Sequence, residues 1–168
     1  MQKNLVTLSA GLLLCFFSIA QSKYAGTMKK LVGTSFTDDR QIKGLKGWTF
    51  VEGSLLTGVD DPEVMTASVF RKGTTYIVLG NYMEDTASHT YIIYDLIEIK
   101  NVPKGYEPKT GICRNYGAED VEVVAVVKLD PNKEFLKPAT KAWRFNRDKK
   151  RFEAISTKKV DCISEGGD

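Results

Sequence analysis

Two tight turns between β-rich segments constrain the fold more than any other feature of the sequence. We expect Lys72-Gly73 to form a turn of two residues and residues 147–150 to form a turn of four. Such short turns join only antiparallel neighbours, because a parallel pair of strands needs a crossover of about a dozen residues or more. The sequence therefore predicts antiparallel β-structure on both sides of each turn.

The first hairpin has a predicted register that brings apolar side chains together. If Lys72-Gly73 is the whole turn, Arg71 pairs with Thr74. Two steps further, Val69 faces Tyr76. Glycine at the second turn position accepts a positive φ, which this type of hairpin requires.

The second hairpin places aromatic residues on one face. With a four-residue turn, Asn146 pairs with Arg151. Phe145 then lies opposite Phe152, and Trp143 falls on the same face. Charged residues alternate with them and point the other way, as expected of a hairpin that covers a core. We therefore expect Trp143 and Phe152 to be core residues.

The rest of the chain is also dominated by short segments rich in Val, Ile, Thr, Tyr and Phe, bounded by Gly, Pro, Asn and Asp. The predicted strands are residues 48–56, 64–71, 74–82, 90–100, 121–129, 141–146 and 151–156. Segments 90–100 and 121–129 are apolar on both faces, which is typical of central strands covered on two sides. Short helices are predicted at residues 35–43 and after Asp130-Pro131.

These patterns indicate one mainly β domain of residues 24–168. We expect an antiparallel sandwich or partly closed barrel of about seven strands, with one or two short helices and one disulfide. The composition agrees, because 42% apolar and 27% charged residues are ordinary for a globular protein. A net charge of +3 is too small for the basic stripe of a nucleic-acid-binding protein, so nucleic acid is not an expected partner.

Residues 1–20 have the three parts of a secretory signal peptide. Lys3 supplies the positive start, residues 12–17 form the centre of an apolar stretch, and Ser18-Ile19-Ala20 matches the small-x-small cleavage pattern. A retained anchor helix is the alternative, but the stretch falls short of the roughly 20 apolar residues that span a membrane. We expect cleavage after Ala20, no membrane span in the mature protein, and a secreted or periplasmic location.

The cysteine content points to the same compartment. Of the three cysteines, Cys15 lies in the signal segment, which leaves Cys113 and Cys162 for the mature protein. An even number of cysteines in an exported chain predicts one disulfide bond between them. Two distant cysteines and a single histidine offer no redox motif and no set of metal ligands, so neither a metal nor a cofactor is expected.

Residues 101–120 contain three glycines and two prolines with little periodicity and are predicted to be irregular. Long irregular segments are uncommon in compact domains and tend to carry function. Tyr106, Arg114 and Tyr116 are residue types enriched at protein interfaces, and a disulfide through Cys113 would hold them in place. A structural crossover between two sheets is the alternative interpretation.

Strand residues offer a second candidate site. A cavity would form between alternate strand residues if the sheet closed on itself, and it would suit a small apolar ligand. Its expected lining is Tyr76, Val78, Tyr91 and Ile93. Asp95 interrupts an apolar face, and a buried carboxylate needs a hydrogen bond or an ion pair, so we expect a structural salt bridge there. Core packing explains the tyrosines equally well.

Signatures of catalysis are missing from the sequence. The chain has no G-x-S-x-G elbow, no H-E-x-x-H motif and no glycine-rich phosphate or dinucleotide loop. His89 stands alone at the start of a predicted strand, so we expect it at the surface. Paired acidic residues such as Asp38-Asp39 fall at predicted turns and caps, where they serve local hydrogen bonds. No catalytic residue is assigned.

The sequence favours an exported, non-enzymatic binding or interaction module of a bacterial envelope, with an envelope or extracellular protein as its partner. The bacterial origin is inferred from the short signal segment and the absence of an N-x-[ST] sequon. Two alternatives stay open. One is a carrier of a small apolar ligand in a barrel-like cavity, and the other is a hydrolase whose carboxylates are assembled in space.

Overall fold

The computed structural model describes residues 26–58 and 60–164, most of which lie in β-strands. The strands are β1 (Ser35–Phe36), β2 (Thr49–Leu55), β3 (Met65–Lys72), β4 (Thr75–Asp85), β5 (Thr90–Ile99), β6 (Tyr106–Thr110), β7 (Cys113–Asn115), β8 (Ala118–Glu119), β9 (Val123–Lys128), β10 (Phe135–Leu136), β11 (Ala139–Asn146), β12 (Arg151–Ala154) and β13 (Val160–Ile163). Three 3₁₀ helices, Gly26–Leu31, Asp39–Gln41 and Lys43–Leu45, precede β2. The predicted signal segment, residues 1–20, lies outside the described residues.

The strands form three sheets in which neighbouring strands are antiparallel. Sheet A has the order β1-β5-β4-β3-β2, sheet B the order β12-β11-β9-β6, and sheet C the order β10-β13-β7-β8. The mainly β class and the antiparallel order predicted from the sequence are confirmed. The sheets do not close into a single barrel, and the strands outnumber those predicted.

Sheet B is the middle layer of the molecule and is covered on both faces. Val124 and Val126 of β9 pack into the core that sheet B shares with sheet A. The alternate residues Val123, Ala125 and Val127 pack into a second core, shared with sheet C. The prediction of a central strand within residues 121–129 is therefore confirmed.

The outer face of sheet A is covered by the segment that carries the 3₁₀ helices. Leu31, Ile42 and Leu45 of that segment form a third core with outward-facing residues of sheet A, including Phe70 and Ile93. Strand β5 is consequently buried on both faces over much of its length, as its two apolar faces predict.

A β-bulge at Tyr94 changes which face the residues of β5 occupy. The register passes from the pair Gly80 and Asp95 directly to the pair Asn81 and Ile93. The extra residue turns Ile93 to the outer face, because side chains alternate strictly between faces elsewhere along the strand.

The prediction of a strand-lined cavity is wrong, because the bulge places the residues expected to line it on opposite faces of sheet A. Tyr76 and Val78 are buried in the core between sheets A and B, whereas Ile93 is buried in the core on the outer face. Tyr91 is the second residue of β5 and is half-buried. The four residues share no interior space.

The β11–β12 hairpin has the predicted register, with Phe145 opposite Phe152 and Asn146 opposite Arg151. Both phenylalanines are fully buried, and their rings meet edge to face with centroids 5.0 Å apart. Trp143 is only half-buried and packs against the border of the same core. The core position is confirmed for Phe152, and Trp143 is less buried than expected.

The β3–β4 hairpin has its turn one residue further along the chain than predicted. Lys72 pairs with Thr75, and Val69 pairs with Val78 rather than with Tyr76. Gly73, with φ at +61°, is therefore the first turn residue. Each partner moves by two positions, and since side chains alternate with a period of two, the faces remain as predicted.

Residues 101–120 were expected to be irregular, but they contain β6, β7 and β8. Strand β6 lies at an edge of sheet B, where Pro108 is tolerated because one side of an edge strand has no ladder partner. Gly111 and Gly117, with φ at +73° and +80°, lie in the turns between these strands. Strands this short between turns show no readable period in the sequence.

Of the two predicted helices, the first is reduced to the 3₁₀ helix Asp39–Gln41 and the second does not form. In the first segment, Ser35 and Phe36 pair with β5, and Asp38 caps the 3₁₀ helix that follows. After Asp130-Pro131 the chain makes a turn and enters β10. Short helices are marginal on their own, so pairing with an available sheet edge prevails.

Cys113 of β7 and Cys162 of β13 lie directly opposite each other and form the predicted disulfide bond. Both residues are buried in the core between sheets B and C. The disulfide is compatible with an oxidising extracellular or periplasmic compartment.

Two carboxylates of sheet A close the edges of sheet B. Asp95 is buried, and its Oδ2 accepts the backbone N–H of Phe152 in the edge strand β12 at 2.7 Å. At the opposite edge, Glu52 accepts the backbone N–H of Thr110 in β6 at 3.2 Å. A buried N–H without an acceptor is costly, and an open edge invites pairing with other chains. These bonds therefore join the two sheets and protect the edges of sheet B.

The close packing of sheets A and B at Gly80 is tested by Gly80→Ala. A Cβ at this position would lie 2.6 Å from Phe145 Cε2 and 3.0 Å from Phe152 Cε2, so the rings must move. We expect a loss of about 1–3 kcal/mol in the free energy of unfolding, measured with chemical denaturant. Gly58→Ala is the control, because a Cβ there meets no atom within 4 Å. Equal effects of the two substitutions would contradict the close approach.

The edge bond of Asp95 is tested by Asp95→Ala. This change leaves the buried N–H of Phe152 without its carboxylate acceptor, which should cost roughly 1–3 kcal/mol of unfolding free energy. Asp148→Ala removes the same charge from an exposed turn position and should have little effect. The free energies of unfolding of both variants are compared by denaturant titration. An Asp95→Ala variant as stable as the wild type would contradict a stabilising role for this hydrogen bond.

Candidate functional site

A pocket of about 300 Å³ lies on the outer face of sheet A, beside the edge formed by β2 and β3. Strands β1, β2, β3 and β5 contribute to it, and Asp39 of the second 3₁₀ helix reaches in from the covering segment. The residues that line it are Phe36, Asp39, Gly53, Ser54, Leu55, Thr66, Ala67, Ser68 and Tyr91. Asp39 is the one charged residue among them.

The pocket rests on a polar network in an otherwise apolar face. The Asn81 side chain is fully buried, and its Nδ2 donates to Ser68 Oγ at 2.8 Å and to Thr66 Oγ1 at 3.3 Å. Ser68 also lies beside the Asp39 carboxylate and lowers its pKa. The buried atoms Asp39 Oδ1 and Asn81 Oδ1 have no hydrogen-bond partner among the described residues. The network therefore ends on oxygen atoms that can accept further hydrogen bonds.

The electrostatic setting of Asp39 disfavours its charge. Burial raises the pKa of this carboxyl above its usual value of 3.8, and the neighbouring Asp38 raises it further. The neighbouring Ser68 side chain opposes both effects and lowers the pKa. A carboxylate held in such surroundings is a common feature of binding and catalytic sites.

An aromatic pair forms one wall of the pocket. Phe36 and Tyr91 are cross-strand partners of β1 and β5, and their rings stack with centroids 5.6 Å apart and an interplanar angle of 20°. Burial raises the pKa of the Tyr91 hydroxyl, and the charge of Asp39 raises it further. Tyr91, a candidate binding residue from the sequence, thus lies beside the buried carboxylate.

A second candidate is a groove of about 720 Å³ on sheet C, which we call the Tyr116 groove. The residues that line it are Tyr116, Gly117, Lys137, Pro138, Ala139, Thr157, Lys158, Lys159, Val160 and Asp161. Tyr116 is 79% exposed with φ at +54°, and its N–H donates to the carbonyl of Lys159 at 2.9 Å. This backbone bond holds an exposed aromatic ring at the rim of the groove.

The Tyr116 groove is predominantly cationic. The three lysines that line it form no ion pair with any residue in the described ranges. The one acidic residue in the lining, Asp161, is bound by Arg114 through two bonds of 2.7 and 3.0 Å. Arg114 also stacks over Phe135, with its guanidinium carbon 3.5 Å from the ring centroid. The groove therefore presents uncompensated positive charge.

The remaining residues predicted to bind lie in other surroundings. Tyr106 is half-buried and packs against the core between sheets A and B, where Tyr76 is also buried. Asp95 bonds the Phe152 backbone at the edge of sheet B. Tyr116 and Arg114 lie close together on sheet C, whereas Tyr91 is on the outer face of sheet A. The six predicted residues thus do not form one site.

Two of the carboxylates that line a third groove, on sheet B, are engaged by cations. Bonds from Arg151, Lys149 and Asn146 lower the pKa of Glu153 to about 2. Glu122 is bound by Arg144 at 2.8 Å. A general acid needs a pKa near the working pH, so Glu153 is not tuned for that role.

Two further observations concern classes of site. Within the described ranges, no group of three or more His, Cys, Asp and Glu residues is placed to hold a metal ion. The same part of the chain contains no helix with the length and apolar character needed to cross a membrane. His89 is exposed, with φ at +51°, in the turn between β4 and β5.

Comparison of the chain with protein-family models, with curated proteins and with solved structures finds no match. The sites are therefore interpreted from their own chemistry.

Sequence reasoning missed the floor of the outer pocket. From the sequence, Asp39 is interpreted as part of a local cap, and Ser68 and Asn81 have no predicted role. A signal was present, because Thr66 and Asn81 are cross-strand partners that interrupt the apolar outer face of the β3–β4 hairpin. A correct hairpin register would have placed these polar residues together.

The buried state of Asp39 is tested by Asp39→Asn at two pH values. Folding raises the pKa of the Asp39 carboxyl, so the folded chain binds its proton more tightly than the unfolded chain does. This tighter proton binding stabilises the fold fully below pH 3.8, and the stabilisation is lost as the pH rises through the folded pKa. Asparagine has no such loss, so the substitution should raise Tm near pH 7 and much less near pH 3. Asp38→Asn is the control, since asparagine also caps helices. The same change in Tm at both pH values would contradict the assignment.

Proposed function

We propose that the protein is an exported binding module that presents the Tyr116 groove to an acidic protein partner. The single observation that carries the proposal is Tyr116 itself. It is 79% exposed, while its backbone is fixed by the bond to Lys159 and by the disulfide that joins β7 to β13. An exposed aromatic ring on a rigid support loses little entropy on binding.

The charge of the groove supports an acidic partner. Lys137, Lys158 and Lys159 line the same groove as Tyr116, and Asp161 is paired with Arg114. Complementary charge guides the encounter of two proteins and selects between partners. Aromatic residues such as tyrosine are enriched at the centres of protein interfaces, and a cationic rim around one fits a surface rich in Asp and Glu.

The export of the protein is part of the proposal and is supported by two features. The sequence pattern of residues 1–20 is that of a signal peptide. The disulfide between Cys113 and Cys162 is of the kind that persists in oxidising compartments. A contact role outside the cytoplasm is consistent with both.

Site-specific photo-crosslinking tests the proposed contact. The photoreactive residue p-benzoylphenylalanine is introduced in place of Tyr116, or in place of Lys72, exposed at the end of β3 in sheet A, as the matched control. On irradiation of the secreted and envelope fractions of producing cells, we expect a discrete adduct from position 116 and none from position 72. The adduct should disappear in the double variant Lys158→Glu and Lys159→Glu, because its charge opposes an acidic partner.

The fold must tolerate the loss of the Tyr116 side chain for the crosslinking result to count. Tyr116→Ala removes a largely exposed side chain, so Tm should be unchanged within about 1 °C. An adduct from both positions, or one that survives the charge reversal, would overturn the proposal.

A further inference from the structure

We infer that the pocket on the outer face of sheet A binds a small primary ammonium ion that carries an apolar substituent. This site is independent of the Tyr116 groove, because sheet B lies between the sheets that carry the two. The inference rests on the charge of the pocket, on its hydrogen-bonding oxygens and on its aromatic wall.

The charge of the pocket favours a cation. Asp39 is the only charged residue that lines it, and neither Lys nor Arg is among the lining residues. A buried carboxylate without a cationic partner costs free energy, and a bound positive ligand offsets that cost. A bound monocation would therefore complete an arrangement that is unfavourable for the protein alone.

The hydrogen-bonding groups favour a donor. Both bonds of Asn81 Nδ2 go to the hydroxyl oxygens of Ser68 and Thr66, and Ser68 lies beside the Asp39 carboxylate. Two oxygens of the lining residues, Asp39 Oδ1 and Ser54 Oγ, are buried without a hydrogen-bond partner among the described residues, and both can accept. A primary ammonium has three N–H donors and no acceptor, which matches this set.

The walls favour an apolar substituent. Phe36 and Tyr91 present a stacked pair of rings, and an ammonium near an aromatic face gains further electrostatic attraction. Leu55 is 40% exposed at the same pocket. A volume of about 300 Å³ is at the lower end of the range for small-molecule sites, so a ligand with a short alkyl or aryl chain fits.

Titration with n-butylammonium chloride, followed by amide NMR shifts of the full mature chain, tests the site. We expect saturable shifts at Ser68 and Tyr91. Potassium chloride at equal concentration controls for ionic strength, and 1-butanol has the same chain length without the charge. Tetramethylammonium carries the charge without N–H donors. Each of these three probes should bind at least about tenfold more weakly, since a charge-assisted hydrogen bond contributes roughly that factor or more.

Matched variants locate the binding. Asp39→Asn should weaken n-butylammonium at least about tenfold, whereas Asp38→Asn, which removes the neighbouring charge, should change affinity less than about twofold. Gly53→Val keeps the carboxylate but fills the pocket, since the Gly53 backbone has no positive φ and its Cβ would make only an ordinary 3.4 Å contact with Phe50. It should abolish the shifts while the remaining spectrum shows an intact fold.

Three results would overturn the inference. They are the absence of saturable shifts in the wild type, equal binding of 1-butanol, and equal weakening by the two aspartate variants. Tyr116→Ala should leave the titration unchanged, so the outcome for this pocket is separate from that for the Tyr116 groove.

Discussion

The architecture depends on the two carboxylates with which sheet A accepts N–H groups from the edge strands of sheet B. Asp95 bonds β12 at one edge, and Glu52 bonds β6 at the other. Hydrophobic packing between two sheets is non-directional and allows them to slide, whereas two hydrogen bonds at opposite edges fix their relative position. The close approach at Gly80, where phenylalanine rings of sheet B fill the space of a missing side chain, depends on that position.

The layered arrangement also explains where the two candidate sites lie. Strand β9 of sheet B is valine-rich and is covered on both faces by the neighbouring sheets. The two candidate sites lie instead on the outer face of sheet A and on sheet C. On sheet A the 3₁₀ segment covers only part of the face and leaves the pocket beside Asp39. On sheet C the disulfide supports the strand that leads to Tyr116.

The two sites have opposite electrostatic character. The Tyr116 groove exposes lysines to solvent, where they attract an acidic surface at long range. Asp39 is partly buried, so its charge is less screened by water and salt, and a ligand there must place a donor against the carboxylate. One surface is therefore suited to a large partner and the other to a small molecule.

Local patterns in the sequence determined the antiparallel order, the register of the β11–β12 hairpin and the pairing of Cys113 with Cys162, since each follows from turn length or from cysteine number. Tertiary structure alone decided the bulge at Tyr94, which moved Ile93 to the other face, and the extended course of residues 35–36, which pair with a sheet edge distant in sequence. The outer pocket belongs to this second group. Its carboxylate, its polar floor and its aromatic wall come from separate segments, and a sequence pattern shows periodicity within one segment but not which segments meet.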